Sequence, residues 1–433
     1  MADRLVKDCF RRNPENQARL SHNDAVAQLR TSISPVTDKI ALNLDQTNGR
    51  ICAASVTAPR SVPGHSNAAV DGYAFAHESL TLEGANKLRI VTYEAAGHPS
   101  GHVIKVGEAA RIFTGAVLPA GCDTVAMQED CEMEPATSSL PDAVVRIPAG
   151  VSHGANVRSA GEDVGNGDVI IEAGHVIRPQ DVAALASVGC TQITCYAPPR
   201  IAVLSSGDEV VRAGEAALSP GQIYDANGPM LLSLAAATGA HVTDLGVLPD
   251  RPEDAMAALR DAAYHFDLIL TSGGAGRGDE DHMASAIREL GTCYFWNISV
   301  KPGKPLMFGQ IGSTVVAGLP GNPVAAFVCF LIYVYPVIRR LGGARWPEPR
   351  RFPLPASFAV KTRKTGRREF WRGSTRLQDG KLMVEKFARD GSGLISGLRA
   401  ADGLIDIAEY VTSVQPGDIV NFIPFSEFGI GIL

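Results

Sequence analysis

The sequence predicts a multidomain α/β plus β protein, in which a three-layer α/β domain is combined with two β-rich modules. Between about residues 196 and 345, short apolar runs that end in Gly, Ser or Pro alternate with helical patterns. Such alternation is typical of a mostly parallel sheet with helices on both faces. Between residues 61 and 150, and again after Trp346, short strand patterns are broken by Gly and Pro. These segments predict a β-rich inserted module and a small C-terminal β-barrel.

The predicted domains are nested, because the inserted module interrupts the first of them. The expected parts are a first subdomain (20–60 with 151–195), the inserted module (61–150), the α/β domain (196–345) and the barrel (346–433). In the first subdomain, residues 21–33 predict a short amphipathic helix. The segment RPQDVAALASVG predicts a second helix, with Asp181 in its first turn and Gly189 at its end.

The elements of the α/β domain and the barrel are predicted from apolar runs and from the turn residues that end them. The α/β domain should contain the strands IAVLSS, HVTDLGVL, FDLILTSGG and STVVAGLPG, and the helices NGPMLLSLAAATG, PEDAMAALRDAAYHF, DEDHMASAIRELG and PVAAFVCFLIYVYPVIRRLGG. The barrel should contain strands within RFPLPASFAV, REFWRGSTRL, KLMVEKFARDGS, LIDIAEYV and DIVNFIPF.

Composition excludes several classes of function. A formal net charge of -6 argues against sequence-independent nucleic-acid binding, which requires a basic surface. The eight cysteines form no CxxC pair, so neither a disulfide framework nor a structural zinc site is expected. The longest apolar run follows Pro323 and ends near Ile338, short of the roughly 20 residues that span a bilayer. With a charged N-terminus, these features predict a cytoplasmic protein without membrane or nucleic-acid partners.

Three strand ends of the α/β domain are rich in groups that bind anions or cations. Ligands of open parallel sheets bind outside the carboxyl ends of the strands. Glycine-rich loops there can bring backbone N–H groups to phosphate oxygens, and carboxylates can hold Mg²⁺. The residues concerned are Asp208 and Glu209 after the first strand, Ser272, Gly273, Gly274 and Asp281 after the third, and Pro320, Gly321 and Asn322 after the fourth. Ordinary turns and helix-capping acids are the alternative interpretation.

Further candidates lie outside these loops. Asp71 precedes an aromatic strand, and Thr114 lies in a turn after another strand. VKPGKP brings two lysines, Lys301 and Lys304, close together on a backbone stiffened by prolines. Two fixed ammonium groups suit phosphate or another oxyanion, and Arg372 and Ser392 could serve the same kind of anion. Turn residues and solvated surface charges remain the alternative for all of them.

Together these segments resemble the molybdopterin molybdenumtransferase family, which includes the C-terminal domain of gephyrin. The resemblance runs from about residue 20 to the C-terminus. It rests on NAAVDGYAF, RIFTGAVLPAGCDTVAMQE, GEDVGNGDVI, PRIAVLSSGDEVV, GQIYDANG, TSGGAGRGDEDHM, VKPGKPLMFG and GLPGNPVAAFV, in family order. It implies that the α/β domain binds molybdopterin, and that the enzyme inserts molybdate into adenylylated molybdopterin with Mg²⁺-dependent release of AMP.

The resemblance also implies roles for particular residues. Catalytic roles fall on Asp71, Thr114, Glu209, Asp250 and Lys301. Binding of the substrate falls on Ser272, Gly273, Gly274, Lys304, Pro320, Gly321, Asn322, Arg372 and Ser392. The Mg²⁺ ligands would be Asp281, Glu209 and Asp250. The family implies a homodimer, with Asp71 and Thr114 completing the partner's site, and a molybdopterin adenylyltransferase and apo-molybdoenzymes as further partners.

Two departures from the family pattern leave alternatives open. Gly276 replaces a serine of the glycine-rich loop and is followed by Arg277, and Asn297 stands where the family often has Lys or Arg. We expect lysine at position 297 to be tolerated, with Arg277 as a substitute cation in the native chain. A molybdopterin adenylyltransferase-like enzyme and a non-catalytic molybdopterin-binding scaffold are the alternative functions.

Overall fold

The computed structural model describes residues 19–81, 86–134, 143–273 and 282–430. The N-terminal part consists of two helices and a set of short strands. They are α1 (His22–Ser32), β1 (Lys39–Asn43), β2 (Val56–Thr57), β3 (Asn67–Ala68), β4 (Gly72–Phe75), β5 (Asn86–Glu94), β6 (Glu108–Ile112), β7 (Thr124–Met127), β8 (Glu132–Met133), β9 (Val144–Ile147), β10 (Val157–Arg158), β11 (Val169–Ile171), α2 (Pro179–Ser187) and β12 (Gln192–Tyr196).

Both predicted helices of this part are confirmed. The side chain of Ser21 caps α1 by accepting a hydrogen bond from the Asp24 N–H, and Ile33 is the C-cap. Asp181 lies in the first turn of α2, and Gly189 follows the helix with a φ of 82°. Strands β1, β2 and β3 pair with β12, β11 and β10, respectively. After the inserted β module, the chain therefore runs back alongside the strands that precede the module.

The inserted module is a six-stranded sheet in the order β7-β4-β6-β5-β9-β8. One face of the sheet packs on a cluster that includes Phe75 and Ile90, and the other on a cluster that includes Ala74 and Ile112. Neighbours in sequence thus enter opposite clusters, as expected from side chains that alternate between the faces of a strand.

The α/β part has the alternating order that the apolar runs predict. Its elements are β13 (Arg200–Ser206), β14 (Val210–Val211), β15 (Ile223–Tyr224), α3 (Asn227–Ala236), β16 (His241–Leu248), α4 (Pro252–His265), β17 (Leu268–Ser272), α5 (His282–Leu290), β18 (Thr292–Trp296), β19 (Val300–Lys301), β20 (Met307–Ile311), β21 (Thr314–Leu319), α6 (Pro323–Cys329), a π-helical turn (Phe330–Val334) and α7 (Tyr335–Leu341).

The α/β sheet has the order β16-β13-β17-β21-β20-β18. The first four strands are parallel, and β20 and β18 are antiparallel additions that the apolar pattern did not reveal. Ile201 packs into a cluster with α3 and α6, whereas Ala202 packs against α4 and α5. Helices therefore cover both faces of the sheet, and the three-layer prediction is confirmed.

The predicted helix PVAAFVCFLIYVYPVIRRLGG is observed as the helical run Pro323–Leu341. Its 19 residues are long and apolar enough to cross a membrane by length and composition, but 83% of the apolar window is buried inside the protein. Tyr333 within it is fully buried and forms a hydrogen bond of 2.8 Å with His22 of α1. The run is therefore a core helix, as predicted.

The C-terminal part forms the predicted small barrel. Its elements are β22 (Phe352–Pro355), β23 (Arg368–Gln378), β24 (Lys381–Lys386), α8 (Ser396–Arg399), β25 (Gly403–Ile407) and β26 (Ile419–Pro424). The strands pair in the order β24-β23-β25-β26-β22, and a bridge between Ala356 and Val384 closes the ring. Strand β19 of the α/β part pairs with β23, with Lys301 opposite Glu369. This pairing carries the predicted lysine loop to the barrel.

Candidate functional site

The ends of β13 and β16 bring predicted acidic residues together. The Ser206 hydroxyl donates to Asp250 Oδ1 (2.9 Å), and the Asp208 N–H donates to Asp250 Oδ2 (3.3 Å). In return, the Asp250 N–H donates to Asp208 Oδ1 (3.1 Å). Glu209 follows in the same loop and is exposed. Asp250, which is distant in sequence, thus lies at the sheet edge beside Asp208, and both can offer hard oxygen atoms to a ligand.

The end of β17 confirms that a glycine is required at position 273. Gly273 has a φ of 88°, and a Cβ atom there would lie 2.6 Å from the Ser206 carbonyl oxygen. Its N–H donates to the Leu319 carbonyl at the end of β21 (3.3 Å). Ser272, just before it, is buried. The predicted sites at Gly274 and Asp281, like the departures at Gly276 and Arg277, lie outside the described residues.

Two residues that sequence reasoning did not single out join these strand ends. The Ser205 hydroxyl at the end of β13 donates to Asp225 Oδ2 (2.8 Å). The Asn227 side-chain amide donates to Ser272 Oγ (2.8 Å) and to the Gly321 carbonyl oxygen (2.7 Å). Both polar residues are buried just before or at the start of α3. The motif YDANG carried the signal, because buried polar side chains at a strand-edge helix require partners.

A cavity of about 380 Å³ lies where the α/β part meets the barrel. Its lining contains six of the predicted residues: Lys301, Lys304, Pro320, Asn322, Arg372 and Ser392. It also contains residues that the sequence did not single out, among them Trp371, Lys386, Phe387 and Asp390. The structure therefore brings together segments as distant in sequence as Lys301 and Ser392, and only their combination predicts an anion site.

A buried carboxylate behind the cavity holds one of these cations. The Lys301 ammonium lies 3.4 Å from Glu369 Oε2, which also accepts a hydrogen bond of 2.8 Å from the Trp371 indole. The other oxygen of Glu369 is 3.3 Å from Nε of the buried Arg363. Glu369 is only 3% exposed. The position of Lys301 is therefore tied to the barrel.

Arg372 shapes the opposite wall of the cavity. Its guanidinium donates to the carbonyl oxygens of Leu394 and Arg389, each at 2.9 Å, and lies over the Phe387 ring at 4.9 Å. Burial lowers the pKa of Arg372, yet a guanidinium keeps its charge at neutral pH. Because both carbonyls flank the 389–394 loop, Arg372 holds the segment that contains Ser392.

The LPGNP turn (residues 319–323) lies between the cavity and the sheet edge. Pro320 and Asn322 line the cavity, whereas the Gly321 carbonyl oxygen is bound by Asn227. Asn322 is the N-cap of α6 and Pro323 its first residue, as predicted. The Val324 N–H already donates to the Ser392 carbonyl (2.9 Å). The Val324 N–H is therefore not available to an anion. An oxyanion at this turn would have to bind other groups of the LPGNP segment.

Asp71 and Thr114 contact each other in the inserted module, which is separate from the cavity and from the α/β sheet. The backbone N–H and the hydroxyl of Thr114 each donate to Asp71 Oδ1 at 2.7 Å. These bonds lower the pKa of Asp71, with a smaller contribution from the charge of Arg111. Neither residue lines the cavity. Their assignment to a partner's site stays a prediction.

Asn297 has a structural reason to differ from the family pattern. It is 8% exposed, and its φ of 68° lies in the left-handed region that asparagine tolerates better than most residues. It does not line the cavity. Lysine at this position would have to adopt the same backbone conformation and bury its ammonium, so the structure opposes our expectation that lysine is tolerated.

The acidic residues fit Mg²⁺ in type, since Asp208, Glu209 and Asp250 offer the oxygen ligands that this ion prefers. Within the part of the chain that the structure describes, no group of three or more His, Cys, Asp or Glu side chains is placed to hold a metal ion. The predicted set of Glu209, Asp250 and Asp281 includes one residue outside that part, so the metal assignment stays a prediction.

Three family models match successive parts of the chain. Residues 20–189 match the MoeA N-terminal region (domain I and II), residues 202–340 a probable molybdopterin binding domain, and residues 355–425 the MoeA C-terminal region (domain IV). The matches follow the same order as the structural parts described above.

Similar proteins extend the resemblance over almost the whole chain. The molybdopterin molybdenumtransferase of Haemophilus influenzae is 35% identical over 392 residues, which cover 89% of this chain and 94% of that protein. The molybdopterin molybdenumtransferase of Nostoc sp. is 33% identical and covers 86% of this chain and 83% of that protein. The crystal structure of a molybdopterin biosynthesis MoeA protein from Pyrococcus horikoshii has a TM-score of 0.77 at 29% identity, covering 94% and 99% of the two chains.

Proposed function

The chain belongs to the molybdopterin molybdenumtransferase family, and on that premise we propose that it inserts molybdate into adenylylated molybdopterin and releases AMP. The two dithiolene thiols of the substrate bind molybdenum and displace oxygen from molybdate, which leaves as water with the two thiol protons. A second water cleaves the anhydride bond between AMP and the pterin phosphate. The product is molybdenum cofactor. Because the dithiolene ligates the metal, the protein needs no redox-active cysteine.

The observation that carries this proposal is the cationic lining of the 380 Å³ cavity. Lys301, Lys304, Arg372 and Lys386 contribute four positive charges to the lining. Two carboxylates offset part of this charge: Asp390 pairs with Lys386 at 2.6 Å, and the buried Glu369 lies 3.4 Å from Lys301. Guanidinium and ammonium groups form short, charge-assisted hydrogen bonds with oxyanions. A doubly charged tetrahedral oxyanion such as molybdate therefore suits the cavity.

The nucleotide end of the substrate is assigned to the carboxyl edge of the α/β sheet. Ligands of open parallel sheets bind at this edge, and Ser272, Gly273 and Gly321 lie there. The LPGNP turn connects the edge with the cavity. This arrangement supports a substrate whose phosphates lie at the sheet edge and whose dithiolene lies in the cavity.

Mg²⁺ is proposed at the acidic end of the same edge. Glu209 and Asp250, together with Asp281, would hold it, and when bound it would neutralise charge on the phosphates. Two hydrogen bonds within the chain, from the Ser206 hydroxyl and the Asp208 N–H, already fix the orientation of the Asp250 carboxylate. Such supporting hydrogen bonds orient metal ligands in other proteins.

A homodimer belongs to the same proposal. Asp71 and Thr114 lie in the inserted module, outside the cavity and the sheet edge. A second copy of the chain could bring this pair to the site. We also propose a cytoplasmic location, receipt of the substrate from a molybdopterin adenylyltransferase, and delivery of the product to apo-molybdoenzymes.

Molybdate binding by variants of the cavity tests the proposal. Lys304→Met removes a cavity cation, and Lys381→Met removes an exposed cation at the start of β24 as a matched control. Calorimetry should give about tenfold weaker molybdate binding for Lys304→Met, from the typical value of one bond to a charged group, and unchanged binding for Lys381→Met. Equal effects would contradict the assignment of the cavity. Molybdopterin consumption with ATP would favour the adenylyltransferase alternative.

A further inference from the structure

The residues before and at the start of α3 connect three neighbouring strands at the sheet edge. Asp225 accepts a hydrogen bond from Ser205 at the end of β13 (2.8 Å). Asn227 donates to Ser272 at the end of β17 (2.8 Å) and to Gly321 after β21 (2.7 Å). Strands β13, β17 and β21 are adjacent in the sheet. Two side chains therefore fix the relative positions of three strand ends.

The orientation of the Asn227 amide is determined by its partners. The Gly321 carbonyl oxygen can only accept a hydrogen bond, so the nitrogen of the amide must face it. The same nitrogen then donates to the Ser272 oxygen. Because Ser272 accepts this bond, its own hydroxyl proton is directed elsewhere, and the hydrogen bonds of the described residues leave that proton uncommitted. Ser272 is thereby set up as a donor.

The Asn227 side chain does not cap or otherwise stabilise α3. The N-cap Ala226 has no side-chain cap, and it is Asp225 Oδ1 that accepts the Gly228 N–H (2.8 Å). Asn227 Oδ1 is buried and has no partner among the described residues. A buried acceptor without a donor weakens a fold rather than strengthening it. The side chain thus acts on the two strand ends and not on its own helix.

The contact with Gly321 also bears on the cavity. Pro320 and Asn322, on either side of Gly321, line it. On the far side of the turn, the Val324 N–H donates to the Ser392 carbonyl of the barrel (2.9 Å). Asn227 therefore holds a turn that contacts both the sheet edge and the cavity.

We propose that Asn227 is a positioning residue for the reaction. It orients the Ser272 hydroxyl to donate to an anionic oxygen of the substrate, and it fixes the LPGNP turn between the sheet edge and the cavity. This inference rests on the proposed function for its consequence in catalysis, but the positions of Ser272 and the turn can be tested without any substrate.

The test compares Asn227→Ala with a matched control on the same helix. Ser233→Ala removes an exposed side-chain hydrogen bond of α3, from Ser233 to the Pro229 carbonyl (2.8 Å), and should change nothing below. Hydrogen exchange by mass spectrometry reports on the Gly273 and Val324 amides, which are bonded to Leu319 and Ser392. In Asn227→Ala their exchange should rise on the order of tenfold, the size of one lost hydrogen bond. Unchanged exchange would overturn the proposal whatever the activity.

Steady-state AMP release from adenylylated molybdopterin gives the second readout. Asn227→Ala should lower kcat about tenfold or more while KM changes little, since misplaced groups cost turnover before affinity. In a Ser272→Ala background the loss should be smaller, because the oriented hydroxyl is already absent. Faster exchange with unchanged kcat would overturn the role in the reaction.

Two further outcomes keep the tests separate. If Asn227→Ala does not fold, Asn227→Ser, which keeps a donor, should fold with intermediate exchange, and wild-type exchange in that variant would overturn the proposal. If the wild-type protein releases no AMP, the proposed function fails, and the exchange of Gly273 and Val324 still decides whether Asn227 positions the turn.

Discussion

Thr114 donates two hydrogen bonds, one from its backbone N–H and one from its hydroxyl, to the same carboxylate oxygen of Asp71. The pairing of β4 with β6 makes this possible, because Gly72 lies opposite Ile112 and the two residues leave the sheet side by side. Both bonds favour the ionised carboxylate. Among the residues that the structure describes, no hydrogen bond is donated to Asp71 Oδ2, and we expect this oxygen to face the substrate.

Removal of the Thr114 hydroxyl should raise the pKa of Asp71. The two bonds from Thr114 lower this pKa, the backbone bond more than the hydroxyl bond. Thr114→Val keeps the shape and the backbone bond, so the acid limb of the pH profile of AMP release should move to higher pH. Thr114→Ser should leave the limb in place, and stability should change by no more than about 0.5 kcal/mol in either variant. A limb at the wild-type pH in Thr114→Val would argue against a role for ionised Asp71.

His22 should make the fold less stable in mild acid. Burial lowers the pKa of His22 to about 4; the charges of Arg368 and Arg351 act in the same direction, and the charge of Asp406 opposes them. The unfolded chain therefore binds a proton between about pH 6.5 and pH 4 that the folded chain does not. Above pH 6.5, His22 does not lower the free energy of unfolding. As the pH falls from about 6.5 to about 4, protonation of the unfolded chain lowers this free energy by about 3 kcal/mol, at 1.36 kcal/mol per pKa unit.

The measurement is denaturant unfolding at pH 7 and at pH 4.5, in the wild type and in His22→Gln. Glutamine keeps a polar partner for Tyr333, whose hydroxyl is 2.8 Å from the imidazole, but it does not titrate. The loss of stability with acidification should be smaller in the variant. Equal losses in the two proteins would show that other groups cause the acid sensitivity.

Arg372→Lys should not be a conservative change. Only the planar guanidinium reaches both the Leu394 and the Arg389 carbonyl while it stacks on Phe387. We expect a loss of about 1–3 kcal/mol in the free energy of unfolding, from the part-buried hydrogen bonds of a charged group that lysine cannot both keep, together with weaker molybdate binding. The control is Arg376→Lys on the same strand, where Arg376 forms a half-exposed ion pair with Glu385 at 3.4 Å. If the two variants behave alike in thermal and chemical unfolding, Arg372 does not hold the 389–394 loop.

The α/β domain was predictable because its strands and helices are each local patterns. The apolar runs predicted β13, β16, β17 and β21 directly. The pattern missed β18 (TCYFW) and β20 (MFGQI), because these two strands follow each other antiparallel at one side of the sheet and do not belong to the alternation of strands and helices. Gly291 shows the same limit: a Cβ atom there would lie 2.0 Å from the Gln310 carbonyl oxygen, a restriction that only the folded pairing creates.

The cavity could be predicted only in pieces. Lys301, Lys304, Arg372 and Ser392 were identified as separate anion-binding candidates, but their convergence depends on the pairing of β19 with β23. Asn227 and Glu369 escaped notice for a related reason. The motif YDANG indicates a polar helix start, but the partners of Asn227 at Ser272 and Gly321, and the ion pair of Glu369 with Lys301, are formed only in the folded chain.

The central claim is that molybdate insertion and AMP release are one reaction of this protein. Purified protein should be mixed with adenylylated molybdopterin and Mg²⁺, with and without molybdate, and AMP should be followed by chromatography. We expect molybdate to accelerate AMP release strongly, and the product to restore activity to an apo-molybdoenzyme. AMP release at the same rate without molybdate, or no release under either condition, would contradict this claim.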